Sequence, residues 1–78
     1  MDIPRKKVLV AESNELVLVL ISHVLTRSSY LVRQCMDAAE AEELLMTEVY
    51  DAALVDLRMP EGGAPLLKRV TRILIADA

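Results

Sequence analysis

Short apolar runs that alternate with helix-forming stretches constrain the fold more than any other feature of this sequence. The runs are too short for helices and mostly lack polar positions, which is typical of strands buried on both faces. They lie at 8–11, 30–35, 51–57 and 73–76. Predicted helices at 15–27, 38–48 and 66–71 and a Pro- and Gly-rich loop at 59–65 separate them. The order β-α-β-α-β-α-β predicts a parallel sheet with right-handed crossovers and helices on its faces.

Polar residues mark the starts of the first two predicted helices. Ser13 or Asn14 can accept a hydrogen bond from a free amide in the first turn of the first helix. Asp37 and Glu40 have the spacing of a capping box at the start of the second helix. Both helices therefore have a residue-level reason to begin where the apolar pattern changes.

The length of 78 residues allows one small domain, which we take as 1–78. Residues 72–78 match residues 7–13 conservatively at nearly every position. Two interpretations follow. The last run is either a fourth strand of the same sheet, with an apolar pattern typical of buried parallel strands, or the start of a second repeat.

Charge and composition exclude several functions. A net charge of −3, without Trp or Phe, does not suit an electrostatic or base-stacking nucleic-acid binder. His23 and Cys35 are the only His and Cys, so one chain forms neither a four-ligand N/S zinc site nor an internal disulfide. The most apolar stretch, 16–25, is interrupted and too short to span a membrane, and no export signal is recognised. We expect no membrane association and a cytoplasmic location.

Polar side chains follow the predicted strands at one edge of the sheet. Glu12 and Ser13 follow the first strand, Asp56 lies near the end of the third, and Asp77 ends the fourth. Ligands of open parallel sheets bind at the carboxyl ends of the strands. A carboxylate in an apolar strand such as Asp56 is costly to bury without a purpose, which favours a functional site.

Three segments of the sequence resemble the response-regulator receiver domain of two-component signalling. They are 8–14, 37–41 and 50–60, the last containing an apolar strand, Asp56 and a following Met-Pro pair. The resemblance covers essentially the whole chain in order and spacing. It implies an α/β, flavodoxin-like, three-layer fold with a parallel sheet of strand order 2-1-3-4. It also implies a truncated domain, since the family's later elements do not follow the fourth strand.

The resemblance assigns roles to individual residues. Asp56 matches the aspartate that accepts a phosphoryl group from a histidine kinase or a phosphotransfer protein. Glu12 matches the first acid of the family's metal-binding pair, and Ser13 stands where the second acid, a direct Mg²⁺ ligand, is expected. The backbone carbonyl of Arg58 matches a further ligand. The implied metal site is therefore Glu12, Ser13, Asp56 and the Arg58 carbonyl, with Mg²⁺ as cofactor.

Several departures from the family pattern weaken phosphoryl chemistry. A hydroxyl at Ser13 is a poorer Mg²⁺ ligand than a carboxylate, so we expect lower affinity. Asp77 occupies the position of a switch Ser or Thr, where a carboxylate would repel a phosphoryl group. The lysine that pairs with the phosphoaspartate is also missing. An alternative is therefore a pseudoreceiver, a phosphorylation-independent interaction module. A free-standing enzyme is not expected, because no nucleophile–base pair or Gly-rich phosphate loop is present.

The first predicted helix is apolar on several sides. Without a neighbouring family helix, one of its faces should be exposed, and exposed apolar patches usually mark partner surfaces. That face comprises Val17, Leu18, Leu20, Ile21, Val24 and Leu25. We expect the chain to form a homodimer, exchange elements, or dock on another domain.

Overall fold

The computed structural model describes residues 5–56 and 59 in full and residues 74–77 as backbone. The strands are β1 (Lys7–Ala11), β2 (Leu31–Cys35), β3 (Ala52–Val55) and β4 (Leu74–Asp77). The helices are α1 (Glu15–Arg27) and α2 (Ala38–Thr47). The predicted helix at 66–71, and all of the predicted loop except Met59, lie outside the described residues.

All strand pairings are parallel, and the strand order is β2-β1-β3-β4. Ala11 is paired with Cys35 on one side and with Val55 on the other. Val55 is paired in turn with Asp77, so the last strand belongs to the same sheet. The predicted order 2-1-3-4 is confirmed, and the interpretation of 72–78 as the start of a second repeat is wrong.

The two helices cover opposite faces of the sheet, because successive residues of a strand point to opposite sides. Leu9 and Ala11 of β1 pack with residues of α2 in one cluster, which we call the α2-side core. Val8 and Val10 pack with Leu18 of α1 in the other cluster, the α1-side core. The predicted three-layer arrangement is therefore confirmed.

The two cores differ in size. The buried members of the α2-side core are Leu9, Ala11, Cys35, Ala38, Ala41, Leu44, Tyr50, Ala53, Val55 and Met59. The α1-side core contains only Val8, Val10 and Leu18 as buried members within the described part of the chain. Most of the apolar burial that holds β1 and β3 in place therefore lies on the α2 side.

Helix α1 begins and ends as its sequence predicts. The Asn14 side chain accepts hydrogen bonds from the amides of Leu16 and Val17, so Asn14, not Ser13, is the N-cap. After Arg27 the chain turns through Ser29, which has a positive φ of 69°. The prediction of an exposed face needs one correction. Leu18 is buried against β1, because it lies on the side of α1 that faces the sheet.

All four strands differ from the predicted ranges by one or two residues at an end, and β1 begins one residue earlier than predicted, at Lys7. Strand β2 begins one residue later than predicted, and Tyr30 is part of the preceding turn. Strand β3 is confined to Ala52–Val55, which leaves Asp56 just beyond its end. Strand β4 is shifted by one residue toward Asp77. In the part of the chain that the structure describes, neither helix is long and apolar enough to cross a membrane.

Candidate functional site

Glu12 and Asp56 occupy equivalent positions on two adjacent strands. Each follows a residue of the Ala11–Val55 pair, and each continues the backbone ladder. The Asp56 amide donates to the Ala11 carbonyl at 2.9 Å, and the Glu12 amide donates to the Cys35 carbonyl at 3.1 Å. Neighbouring strands lie about 4.8 Å apart. The sequence prediction that both acids meet at the carboxyl edge of the sheet is therefore confirmed at the level of the backbone.

Both acidic residues are largely withdrawn from solvent. Glu12 is 5% exposed and Asp56 is 6% exposed. Burying a carboxylate is costly unless hydrogen bonds or charges compensate it. Such a pair at a sheet edge is therefore suited to bind a cation or to act on a charged group.

The loop after β1 orients the Glu12 side chain. Glu12 Oε1 accepts a hydrogen bond from the Asn14 amide at 3.2 Å. Asn14 is itself fixed by capping α1, with its Oδ1 atom 3.0 Å from the Leu16 nitrogen and 3.2 Å from the Val17 nitrogen. The first turn of α1 thus holds Glu12 in place. Sequence analysis considered Asn14 only as a helix cap and missed this second role.

The remaining predicted site residues are described to different extents. Ser13 is exposed at the start of the loop between β1 and α1. Arg58 lies outside the described residues, and Asp77 is described only by its backbone, level with Val55. The amide of Met59 donates to the Asp56 carbonyl at 3.1 Å, and Met59 is buried in the α2-side core. This hydrogen bond and the burial of Met59 fix the position of Met59 relative to Asp56.

The donor set of the site can be compared with the needs of Mg²⁺. Magnesium binds oxygen ligands, usually one or two carboxylates with water molecules completing an octahedron. Glu12 and Asp56 supply two carboxylates, and Ser13 supplies a hydroxyl at most. Among the described residues, no group of three or more His, Cys, Asp or Glu side chains is placed to hold a metal ion. Two carboxylates and a hydroxyl are oxygen donors of the kind that Mg²⁺ accepts.

Cys35 lies at the same carboxyl edge of the sheet, at the end of β2, but its thiol is not activated for reaction. It is a free thiol in the α2-side core. Burial, reinforced by the nearby carboxylates of Glu40 and Asp37, raises the pKa of Cys35 to about 12. The thiolate is the reactive form of cysteine, so this residue is a packing group, as its sequence context predicts.

A second polar cluster lies at the opposite, amino edge of the sheet and was missed by sequence analysis. Lys7 Nζ is 3.1 Å from Glu48 Oε2 and 4.7 Å from the centre of the Tyr50 ring. The Tyr50 hydroxyl donates to Glu48 Oε1 at 2.8 Å. The Lys7 amide donates to Asp51 Oδ2 at 2.7 Å. This cluster, which we call the amino-edge cluster, ties the start of β1 to the segment before β3.

The amino-edge cluster alters the acidity of its members. Hydrogen bonds from Tyr50 and Lys7 lower the pKa of the Glu48 carboxyl below its ordinary value. Burial, together with the hydrogen bond to Glu48, raises the pKa of Tyr50 to about 12. The only signal in the sequence was the placement of Lys7 at the start of one strand and of the acids at 48 and 51 just before a second strand, which proves to be its neighbour.

Comparisons with known proteins agree with this geometry. The receiver domain of the Francisella response regulator 1452 superposes with a TM-score of 0.80 at 30% identity, covering 83% of this chain and 55% of that one. The chemotaxis response regulator CheY4 of Vibrio cholerae gives a TM-score of 0.81 at 25% identity, covering 86% of this chain and 57% of that one.

A third solved structure has a similar fold and also contains a modified aspartate and bound ligands. It is a response regulator protein from Burkholderia pseudomallei with a phosphorylated aspartic acid, a calcium ion and citrate. Its TM-score is 0.76 at 29% identity, with 90% of this chain and 44% of that one covered. The chain thus spans about half the length of these solved relatives. No curated protein matches the sequence.

The family profile of the response regulator receiver domain matches residues 8–73. That range is most of the chain and contains all of β1 except Lys7, the acidic pair and β3. This chain therefore belongs to the response regulator receiver domain family.

Proposed function

We propose that this chain, residues 1–78 taken as one receiver domain, accepts a phosphoryl group on Asp56 in a two-component phosphorelay. The donor would be a histidine kinase or a phosphotransfer protein. The observation that carries the proposal is the buried pair of Asp56 and Glu12 on adjacent strand ends. A solved relative with 29% identity contains a phosphorylated aspartic acid, which supports the same chemistry here.

In the proposed reaction a carboxylate oxygen of Asp56 attacks the phosphorus of a phosphohistidine in line. The new O–P bond forms as the P–N bond breaks, and the leaving imidazole keeps the electron pair and takes up a proton. The hydrogen bond from the Asp56 amide to the Ala11 carbonyl fixes the backbone of the nucleophile relative to β1. Fixed orientation of this kind lowers the entropic part of the barrier.

Glu12, Asp56, the Ser13 hydroxyl and the Arg58 carbonyl are the groups of this chain that would hold Mg²⁺. When bound, the ion would neutralise part of the charge of the phosphoryl group. The hydrogen bond from the Asn14 amide to Glu12 Oε1 would orient the Glu12 carboxylate toward this role. Because Ser13 contributes no charge, we expect weaker Mg²⁺ binding than a site with a third carboxylate would give.

Beryllofluoride, which mimics an aspartyl phosphate, tests the proposal directly. We would record ¹⁵N–¹H correlation spectra of the whole chain with Mg²⁺, before and after adding beryllofluoride. We expect shifts of the amides around Asp56, Glu12 and Met59. Asp56→Asn is the matched control, because it keeps the shape of the side chain but removes the nucleophile, and its spectrum should not change. A dispersed wild-type spectrum that stays unchanged would refute the proposal.

A pseudoreceiver is the second candidate, and exposed Ser13 is the observation that favours it. In that case the fold would act through protein contacts without phosphorylation. Ser13→Asp separates the two candidates, because it adds the carboxylate that the family pattern has at this position. A variant that responds to beryllofluoride when the wild type does not would identify Ser13 as the residue that disables the site.

The partners and location follow from the same proposal. The chain would meet its kinase or phosphotransfer protein in the cytoplasm, which is compatible with its free, buried thiol at Cys35. It would pass the signal on by contacts with another protein, either a second copy of itself or another domain. No direct contact with nucleic acid or membrane is part of the proposal.

A further inference from the structure

Negative charge is concentrated in one segment of the sequence. Residues 34–56 contain seven Asp or Glu residues and no Lys or Arg, which is a net charge of −7. The rest of the chain contains five acidic and nine basic residues, a net charge of +4. Helix α2 lies within the acidic segment and has three glutamates and no basic residue. A surface of one sign attracts partners of the opposite charge.

The glutamates of α2 are the acids of this segment that are available to a partner. The other four have a structural role or belong to the candidate site: Asp37, Glu48, Asp51 and Asp56. Glu40 and Glu43 are exposed, and their side chains make no ion pair within residues 5–56 and 59. They can therefore pair with cationic side chains from outside the chain.

One face of α2 combines these charges with apolar side chains. Ala39 and Met46 are two turns apart, so they lie on one line along the helix. Glu42 and Glu43 lie about 50° to either side of this line. Together with Thr47 they line a shallow depression of about 390 Å³, which we call the α2 outer face. The buried residues of α2 lie about 150° around the helix from the line, so the depression faces away from the sheet.

The end of α2 carries the two most exposed large apolar side chains in the described part of the chain. Met46 is 78% exposed, and Val49, just beyond the helix, is 88% exposed. A single exposed apolar residue is normal on a protein surface, but two within three positions, beside unpaired acids, indicate a contact surface. Methionine suits such a surface because its flexible, polarizable side chain adapts to the shape of a partner.

We propose that the α2 outer face binds a basic amphipathic helix of another protein. An apolar side chain of the partner would lie against Met46 and above Ala39, whose small side chain lets two helices approach closely. Lys or Arg residues beside that apolar residue would pair with Glu43 and Glu40 on one side of the line. The proposal rests on α2 alone and does not require phosphorylation of Asp56.

The charge of this face selects a basic polypeptide over other occupants. Nucleic acids and anionic membranes are repelled by a surface of this sign. A second copy that used the same face would place glutamates against glutamates, since a twofold contact is made by identical surfaces. In the part of the chain that the structure describes, no group of three His, Cys, Asp or Glu side chains is placed to hold a metal ion.

A peptide titration followed by ¹⁵N–¹H correlation spectra of the full chain tests the proposal. The peptide has about 18 residues, five helical turns, and contains only leucine, lysine and alanine, with lysines on both sides of a leucine face. We expect saturable shifts concentrated at residues 38–49, and weaker binding as salt is added. The same peptide with glutamate in place of lysine should not bind. Shifts confined to α1, or no saturable binding at millimolar peptide, would overturn the proposal.

Charge reversal separates a specific contact from general attraction. Glu43→Lys should weaken peptide binding about fivefold, because it removes one attraction and adds one repulsion. Glu15→Lys is the matched control, since it makes the same change in net charge at an exposed acid of α1, on the other side of the sheet. If both variants weaken binding equally, the peptide responds only to net charge, and the proposal is wrong.

A second pair of variants tests the apolar contact. Met46→Ser should weaken peptide binding at least about fivefold, whereas Leu16→Ser, at a position of α1 that is 70% exposed, should leave it unchanged. Shifts of the α2 amides that depend on protein concentration without peptide would show that a second copy occupies the face, against the proposal. Asp56→Asn should bind the peptide as the wild type does, so failure of the phosphoacceptor proposal and failure of this one give different results.

Discussion

Replacing Leu9 by alanine tests whether the α2-side core stabilises the strand that positions Glu12. Leu9 is fully buried in the α2-side core, on the strand that leads into Glu12. The substitution removes three carbon atoms, which costs about 2.5 kcal/mol in lost transfer free energy. The cavity adds to this, giving a total of about 3–4 kcal/mol. A chain of 78 residues has a free energy of unfolding of roughly 4–12 kcal/mol. The variant should therefore lose at least about a quarter of its free energy of unfolding.

Urea unfolding followed by far-UV circular dichroism measures this cost. With an m-value of about 1.5 kcal/mol/M, the midpoint should fall by roughly 2 M. Leu20→Ala is the matched control, because it removes the same atoms from an exposed position and should cost less than about 1 kcal/mol in dilute, monomeric protein. If the two variants lose equal stability, the α2-side core does not carry the fold, and the reasoning fails.

Three further predictions concern local features. Ser29→Gly should stabilise the protein by about 1 kcal/mol, because glycine adopts the positive φ of this turn without strain, and thermal unfolding would detect the change. Cys35, whose pKa is raised to about 12, should react with a thiol reagent at pH 8 far more slowly than a free thiol, and reaction as fast as in urea would contradict its burial. Glu48 has a lowered pKa, so its stabilising effect is present above pH 4.5 and is lost as the pH falls through the folded-state pKa. Glu48→Gln should flatten this acid-induced loss of stability, and an unchanged pH profile would show that the amino-edge cluster contributes nothing.

The residue pattern predicts most of the element positions for identifiable reasons, whereas the strand order 2-1-3-4 was implied by the resemblance to the receiver-domain family. Buried parallel strands are apolar on both faces, so the runs before Glu12 and Asp56 are recognisable without a structure. Asn14 and Asp37 cap α1 and α2 as their spacing suggests, and the Asp37 side chain accepts the Glu40 amide at 2.7 Å. Local signals were sufficient here because caps and strand patterns depend on neighbours in the sequence.

Contacts between distant segments were harder to predict. The amino-edge cluster joins Lys7 to Glu48 and Tyr50, more than forty residues later, and only the observed strand register brings them together. Likewise, periodicity alone did not decide which side of α1 faces the sheet, so Leu18 was wrongly placed on the exposed face. Which face of a helix is buried depends on the sheet against which the helix packs. The residue pattern of the helix alone does not contain that information.

The central position of β1 has a consequence for hydrogen exchange. Strand β1 is paired with β2 on one side and with β3 on the other, whereas β2 is paired only with β1. An amide of β1 can reach solvent only when a whole strand pairing separates, and in a small domain that event is close to complete unfolding. The slowest-exchanging amides should therefore lie in β1 and in β3, which is likewise paired on both sides, and their protection factors should report the global stability of the domain. The amides of β2 that point away from β1 should exchange early. One exchange experiment would therefore measure both the global stability of the domain and the lower local stability of the edge strand.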